Sequence, residues 1–275
     1  MENAELPRFE LNDLPLRMRT FSIRSSKTFQ GACYFDWESA PKYAKFPGLR
    51  RLLNKCISDQ AEKDEYGKPR AGGFLPPALL DHYLSREVVQ KELEKEKCKF
   101  NIAKTLEIMF SAEEEEEVKE GARTYKIVFA VLALMERVCD VAGFVNEDDN
   151  GICDEDLPLQ LYRGEDGSRE LRRRGESLQR SCLEGWKDAE YESFDNYQWQ
   201  LLVPTFALND NNTIKHQIFP ERVIFPWCEE RAQKHAATSG GYAHVKKVRI
   251  HPLCHEFHKT LEAVSPSTLL VYHHL

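Results

Sequence analysis

The chain has 275 residues and a mass of 31.9 kDa, enough for one large domain or two modest ones with a real core. Its 41% hydrophobic and 30% charged residues fit a soluble globular protein. A formal net charge of −7 and a pI near 5.8 exclude the broad basic field that general nucleic-acid binding exploits.

Two further classes fall away on local grounds. The longest apolar run, residues 127–135, is bounded by Lys126 and Glu136-Arg137 and is far short of the roughly 20 residues needed to span a bilayer. The opening Met1-Glu2-Asn3-Ala4-Glu5-Leu6-Pro7 has no positive segment followed by an apolar one, so a cleaved secretion signal is not expected. The expected setting is intracellular, in the cytoplasm, with no membrane association. Eight cysteines, Cys33, Cys56, Cys98, Cys139, Cys153, Cys182, Cys228 and Cys254, never form C-x-x-C and are expected to be reduced thiols.

Residues 1–45 mix Pro, Ser and charge without a sustained period and read as a loosely ordered lead-in, whose Phe29, Tyr34, Phe35 and Trp37 can pack on the body. From Phe46 a helix is predicted, because Leu49, Leu52, Leu53, Cys56 and Ile57 recur at helical spacing and form one stripe. Gly67-Lys68-Pro69-Arg70-Ala71-Gly72-Gly73 breaks the chain. Pro77 then opens a helix with Leu79, Leu80, Tyr83 and Leu84 inward, and residues 86–99 continue as a charged helix. Ser111 with Glu114 has capping-box spacing, which predicts a helix start there and makes the run Glu113 to Glu117 a solvated first turn. Residues 123–138 are apolar nearly all round and predict the buried helix on which the others pack. Residues 163–181 are polar and Gly-punctuated and read as a linker or mobile excursion. Helical character resumes near Leu183 and runs towards Phe194. From Trp199 the signals turn to strand at Leu201-Leu202-Val203, Ile218-Phe219 and Arg222-Val223-Ile224-Phe225, with a boundary near residues 203–212.

Several clusters invite chemistry. Around Gly151, Asn146, Asp148, Asn150 and Asp154 fall at positions 1, 3, 5 and 9 of an EF-hand loop, but Leu157 stands where a bidentate Glu is required, so an acidic turn is the simpler reading. His251, Cys254, His255 and His258 could ligate zinc, yet no second ligand couple accompanies them. His273-His274 read as terminal polar residues. Arg172-Arg173-Arg174 reads as a solvated basic face. Nothing in the spacing selects a Cys/His nucleophilic pair.

The run Ser239-Gly240-Gly241-Tyr242-Ala243-His244-Val245 is the most suggestive feature. A kinase glycine-rich turn lays backbone N–H groups over the phosphates of ATP and needs small residues where the main chain nears the anion. Anchored on Val245, the pattern G-x-G-x-x-G-x-V places Thr238, Gly240 and Ala243 at its three glycine positions, so one glycine of three is kept. Taken alone, the run equally describes a plain hairpin with Gly-Gly at its tip.

The flanking blocks add specificity. Asp195-Asn196-Tyr197-Gln198-Trp199 leading to Pro204-Thr205-Phe206, then Val223-Ile224-Phe225-Pro226-Trp227-Cys228-Glu229-Glu230, the glycine run, and Val248-Arg249-Ile250-His251-Pro252 follow one another in order. Together with residues 127–134 and Cys153-Asp154-Glu155-Asp156-Leu157-Pro158-Leu159, they resemble a group of fungal proteins carrying a protein-kinase domain behind a helical N-terminal region. The resemblance covers roughly residues 46–252. It implies nucleotide-loop positions at Gly240, Gly241, Tyr242, Ala243 and Val245. It also implies a following Ala-x-Lys strand, an αC glutamate, a catalytic-loop aspartate and asparagine, and a DFG aspartate, and this sequence has none of them. The stretch after Pro252 is therefore expected to depart from the family, as altered splicing or premature termination would produce.

The fold expected is α+β and mostly α: a lead-in (1–45), a helical N-terminal region (46–205), and a truncated N-lobe-like antiparallel β segment with a divergent tail (206–275). The expected function is a non-catalytic regulatory or interaction region of a kinase-like signalling protein, a pseudokinase fragment, with a divergent Ser/Thr protein kinase as the alternative. No catalytic residues, no metal and no bound ATP are expected, and the expected partner is another protein rather than nucleic acid or membrane.

Overall fold

The structure, a computed structural model, describes residues 19–26, 35–61, 72–114, 123–145, 151–207, 217–228, 238–240, 243–247, 249–256 and 268–274. It is α+β and mostly helical, as the sequence predicts.

Among the described residues, seven α-helices build the body: α1 (Leu49–Asp59), α2 (Pro77–Tyr83), α3 (Arg86–Lys95), α4 (Ile102–Glu114), α5 (Lys126–Leu134), α6 (Val141–Phe144) and α7 (Asp188–Leu201). The predicted stripe of α1 is buried in full: Leu49, Leu52, Leu53, Cys56 and Ile57 all face inward. Helix α2 begins at Pro77, whose missing N–H is harmless in a first turn, and buries Leu79, Leu80 and Tyr83. Gly73, just before it, passes so close to the Ile57 carbonyl that any Cβ there would collide with it. Helix α5 is the centre, with Val128 to Leu134 all buried, and α1, α2 and α7 pack around it.

Both ends of α5 are closed by distant side chains. At its start, Asp154 accepts from the Val128 N–H (2.9 Å) and from the Thr124 hydroxyl (3.0 Å). At its end, Arg50 Nε donates to the Leu134 carbonyl (3.0 Å). Helix α1 is closed in the same way: buried Glu92 of α3 accepts from the Leu49 N–H (2.9 Å) and from the Tyr43 hydroxyl (2.6 Å). Such charge-assisted caps satisfy backbone groups that a helix cannot satisfy itself.

Strands β2 (Gln160–Arg163) and β3 (Arg169–Arg172) form an antiparallel hairpin against α7, with Leu171 fully buried. A sheet of order β4-β1-β9-β7-β6 joins β1 (Arg19–Ser26), β4 (Gln217–Phe219), β6 (Thr238–Gly240), β7 (Ala243–Lys247) and β9 (Thr268–His274), every pairing antiparallel. A smaller ladder pairs β5 (Trp227–Cys228) with β8 (Arg249–Ile250).

Several expectations are corrected. Ser111 does not begin a helix: it lies inside α4, its hydroxyl donating to the Ile108 carbonyl, because buried Leu106, Met109 and Phe110 draw the helix upstream. Glu113 and Glu114 thus end a helix, and Glu115 to Glu117 lie outside the described residues. The long helices predicted at 86–99 and 123–138 are shorter, stopping before Lys97 (φ 54°) and Glu136 (φ 61°), which adopt left-handed backbone. Residues 163–181 hold the β2–β3 turn, β3 and a 3-10 turn (Ser181–Leu183) begun at their end, not a bare linker. Leu201 ends α7 and Leu202-Val203 form no strand; residues 222–225 are irregular, the strand falling instead at Trp227–Cys228. Residues 19–26 of the expected lead-in form β1, and His273-His274 belong to β9. Cys98 and Cys139 are joined as a disulfide with Cα atoms 5.2 Å apart, against the expectation of reduced thiols, because packing brings the end of α3 beside the turn after α5. No helix among the described residues is long and apolar enough to cross a membrane.

Candidate functional site

Several of the blocks quoted for the resemblance are far apart in sequence and meet in space. Their meeting place is the joint between the helical body and the β segment. Asp195, Gln198 and Trp199 stand at i, i+3 and i+4 on α7, so they share one face. Gln198 is fully buried and grips one residue of the Cys153–Leu159 block by its backbone: the Leu159 N–H donates to Gln198 Oε1 (2.8 Å), and Gln198 Nε2 donates to the Leu159 carbonyl (2.9 Å). The same amide donates to Asp195 Oδ1 (3.0 Å). Asp195, 4% exposed, then pairs through Oδ2 with Arg222 (2.5 Å), whose guanidinium lies 5.4 Å from the centre of the Trp199 ring. A buried carboxylate is costly unless paired and hydrogen-bonded, and here it is both.

Past α7 the chain continues the joint. The Leu75 N–H donates to the Gln200 carbonyl (2.8 Å), and Phe206 exchanges backbone bonds with the turn after β8, donating to the Cys254 carbonyl and accepting from the Glu256 N–H (both 2.9 Å). The His251 N–H donates to the Pro226 carbonyl (2.8 Å) and Ile250 pairs with Trp227. Trp227 stacks on both Phe206 (5.9 Å) and Phe225 (5.1 Å), with Phe219 edge-on to those two phenylalanines, over a small apolar core shared by Phe74, Val203, Ile250 and Cys254. His251 is buried between Phe35 and Phe74 and accepts from the Leu253 N–H (3.2 Å) through Nδ1. Burial depresses its pKa to about 4, so it sits there as a neutral ring. Its neighbour turn, Pro252–Cys254, rests on α2.

The described part of the glycine run lies in an antiparallel strand pair. Gly240 is the last residue of β6 and pairs with Ala243, while Ser239 pairs with His244 and Thr238 with Val245. Gly241 and Tyr242 lie outside the described residues. Val245 pairs on its other side with Tyr272 of β9. Of the five implied nucleotide-loop positions, Gly240, Ala243 and Val245 are brought into one hairpin.

The remaining clusters are absorbed by packing. Asp154 closes α5 and Asp156 forms an ion pair with Arg173 (2.7 Å) while accepting from the Cys153 N–H (2.8 Å), so the acidic turn spends its carboxylates internally; Asn146, Asp148 and Asn150 lie outside the described residues. Burial raises the Asp154 pKa, opposed by the N–H and hydroxyl donors around it. Arg173 is correspondingly not solvated. Among the described residues no group of three His, Cys, Asp or Glu is arranged to hold a metal, and His258 lies outside them. Burial pushes the Cys56 thiol up to about 11 and the Cys153 and Cys182 thiols to about 12, leaving them poor nucleophiles.

Sequence reasoning quoted Asp195, Gln198 and Trp199 but not their common face. Reading the segment as a helix through Leu201 would have revealed it. No spacing signal links Cys98 to Cys139. No family model, curated protein or solved structure matches the chain.

Proposed function

We propose that this chain acts as a regulatory or interaction region of a protein-kinase-like protein, without phosphotransfer activity of its own. What supports the reading is the joint. Several blocks of the resemblance contribute contacts that hold the β segment against the helical body: Asp195 pairs with Arg222, His251 packs on Phe74, and the Pro252–Cys254 turn rests on α2. The side chains there are buried, paired and neutralised rather than poised for chemistry.

Phosphoryl transfer depends on a lysine for the α/β-phosphates, a metal-binding aspartate and a catalytic-loop aspartate, and the sequence contains none of V-A-I-K, H-R-D or D-F-G. The expected partner is a protein, since the chain carries net charge −7. Titrating the purified chain with Mg-ATP while following thermal unfolding tests the reading. No saturable stabilisation and no phosphate transfer are expected. A saturable rise in Tm abolished by Gly240→Val would establish the competing reading, a divergent kinase.

A further inference from the structure

Six cysteines whose surroundings the structure describes fall into two populations. Cys56, Cys153 and Cys254 are buried, and Cys182 is largely enclosed with its thiol pushed up by burial. Cys98 and Cys139, by contrast, are half-buried and bonded to each other at an open surface recess completed by Lys97, Lys99 and Phe100. Both lysines are exposed, and Lys97 holds the left-handed turn that ends α3. Cys139 sits in a 3-10 turn (Val138–Asp140) between Arg137 and Asp140, which pair at 2.5 Å, and Arg137 also pairs with Glu190 in the first turn of α7. The bond therefore ties α3 to the turn that connects α5 with α6, across 41 residues of chain.

We propose that the Cys98–Cys139 pair is a reversible thiol–disulfide exchange site that reacts with a small anionic thiol of the glutathione class. The thiolate of that molecule attacks one sulfur of the pair, breaking the S–S bond and forming a mixed disulfide. The other cysteine leaves as a thiolate and takes up the proton the attacking thiol gave up. A second small thiol attacks the mixed disulfide, frees the remaining cysteine and departs as the oxidised dimer. Two electrons pass from two small thiols to the protein, and the reverse sequence reforms the bond. Access governs whether a disulfide exchanges, and this one lies open. Neighbouring ammonium groups stabilise a departing thiolate and attract a carboxylate-bearing thiol, which is the part assigned to Lys97 and Lys99.

The experiment equilibrates the full chain in reduced or oxidised glutathione, quenches with acid, alkylates, and maps each cysteine by peptide mass spectrometry. Cys98 and Cys139 should label together after the reduced buffer and be protected after the oxidised one, with a glutathione adduct on one of them at intermediate ratios. Reduction should lower Tm by about 5–10 °C, as expected for releasing a loop of this length in a chain of this size. Replacing both lysines, Lys97→Gln with Lys99→Gln, should slow opening by glutathione about three- to tenfold and opening by uncharged 2-mercaptoethanol by a clearly smaller factor. Protection that persists in reduced glutathione and yields only on denaturation would make the bond an inert cross-link and overturn the proposal. Labelling of both cysteines after the oxidised buffer, to the same extent as after the reduced one, would overturn it as well. Equal effects of the lysine changes on both small thiols would overturn the selection for an anionic one.

Discussion

The helical body and the five-stranded sheet are assembled on opposite plans. In the body, each helix carries its apolar stripe within a few residues of chain, and α1, α2 and α7 bring those stripes onto α5 from distant stretches. In the sheet, β1 from residues 19–26 pairs with β9 from residues 268–274, and β4 and β7 flank them. Such pairings carry a loop-closure cost that local contacts do not. The body can therefore be read from local pattern and can stand on its own burial. The sheet depends on whether the joint at α7 holds the intervening segments in place.

The largest expected effect tests the body. Phe129→Ala removes a fully buried ring from the centre of α5 and should cost about 3–5 kcal/mol, read as a fall in the urea midpoint without a change in slope. A small effect would mean that α5 is not the centre of stability.

Acid tests the joint. His251 titrates near 4 when folded, against 6.5 in its unperturbed state, so between those values the unfolded chain binds the extra proton. Stability is full above pH 6.5 and falls as pH drops towards 4, by up to about 3 kcal/mol from this residue alone. Urea unfolding at pH 7 and pH 4.5, compared between the parent chain and His251→Phe, should show a shallower pH dependence in the variant. Identical pH profiles would exclude His251 as the sensor.

A somewhat smaller loss is expected at the other side of the joint. Gln198→Ala leaves the buried N–H and carbonyl of Leu159 without their partner and should cost about 2 kcal/mol. Hydrogen exchange should report it first in β2 and at Leu159 and not in α1. The smallest effect belongs to the surface: breaking the Lys55–Asp59 pair on α1 by Asp59→Asn should change stability by under about 0.5 kcal/mol. A loss approaching that of Gln198→Ala would show that surface charge holds the body as strongly as buried polar contacts do.

What could be read along the chain follows the same division. The α1 stripe, the Pro77 start of α2 and the apolar run of α5 were legible because each rests on spacing within one element. Ser111 misled because a capping-box pattern inside a helix looks the same as one at its start until the burial of Leu106, Met109 and Phe110 is known. Trp199 to Val203 misled because β-branched and aromatic residues at the end of a buried helix imitate a strand. The glycine run was recognised, but the register placing Gly240 opposite Ala243 is a property of strand pairing, and no single segment specifies it.

By itself the sequence determined the class of the fold, the position of its main helices and the order of the blocks that now meet at the joint, because periodicity and turn chemistry act over a few residues. Tertiary structure alone decided that Gln198 holds Leu159, that His251 is buried and neutral, that Cys98 meets Cys139, and that β1 lies beside β9. Those outcomes depend on which surfaces exclude water together, and a linear pattern carries no record of distance across the fold.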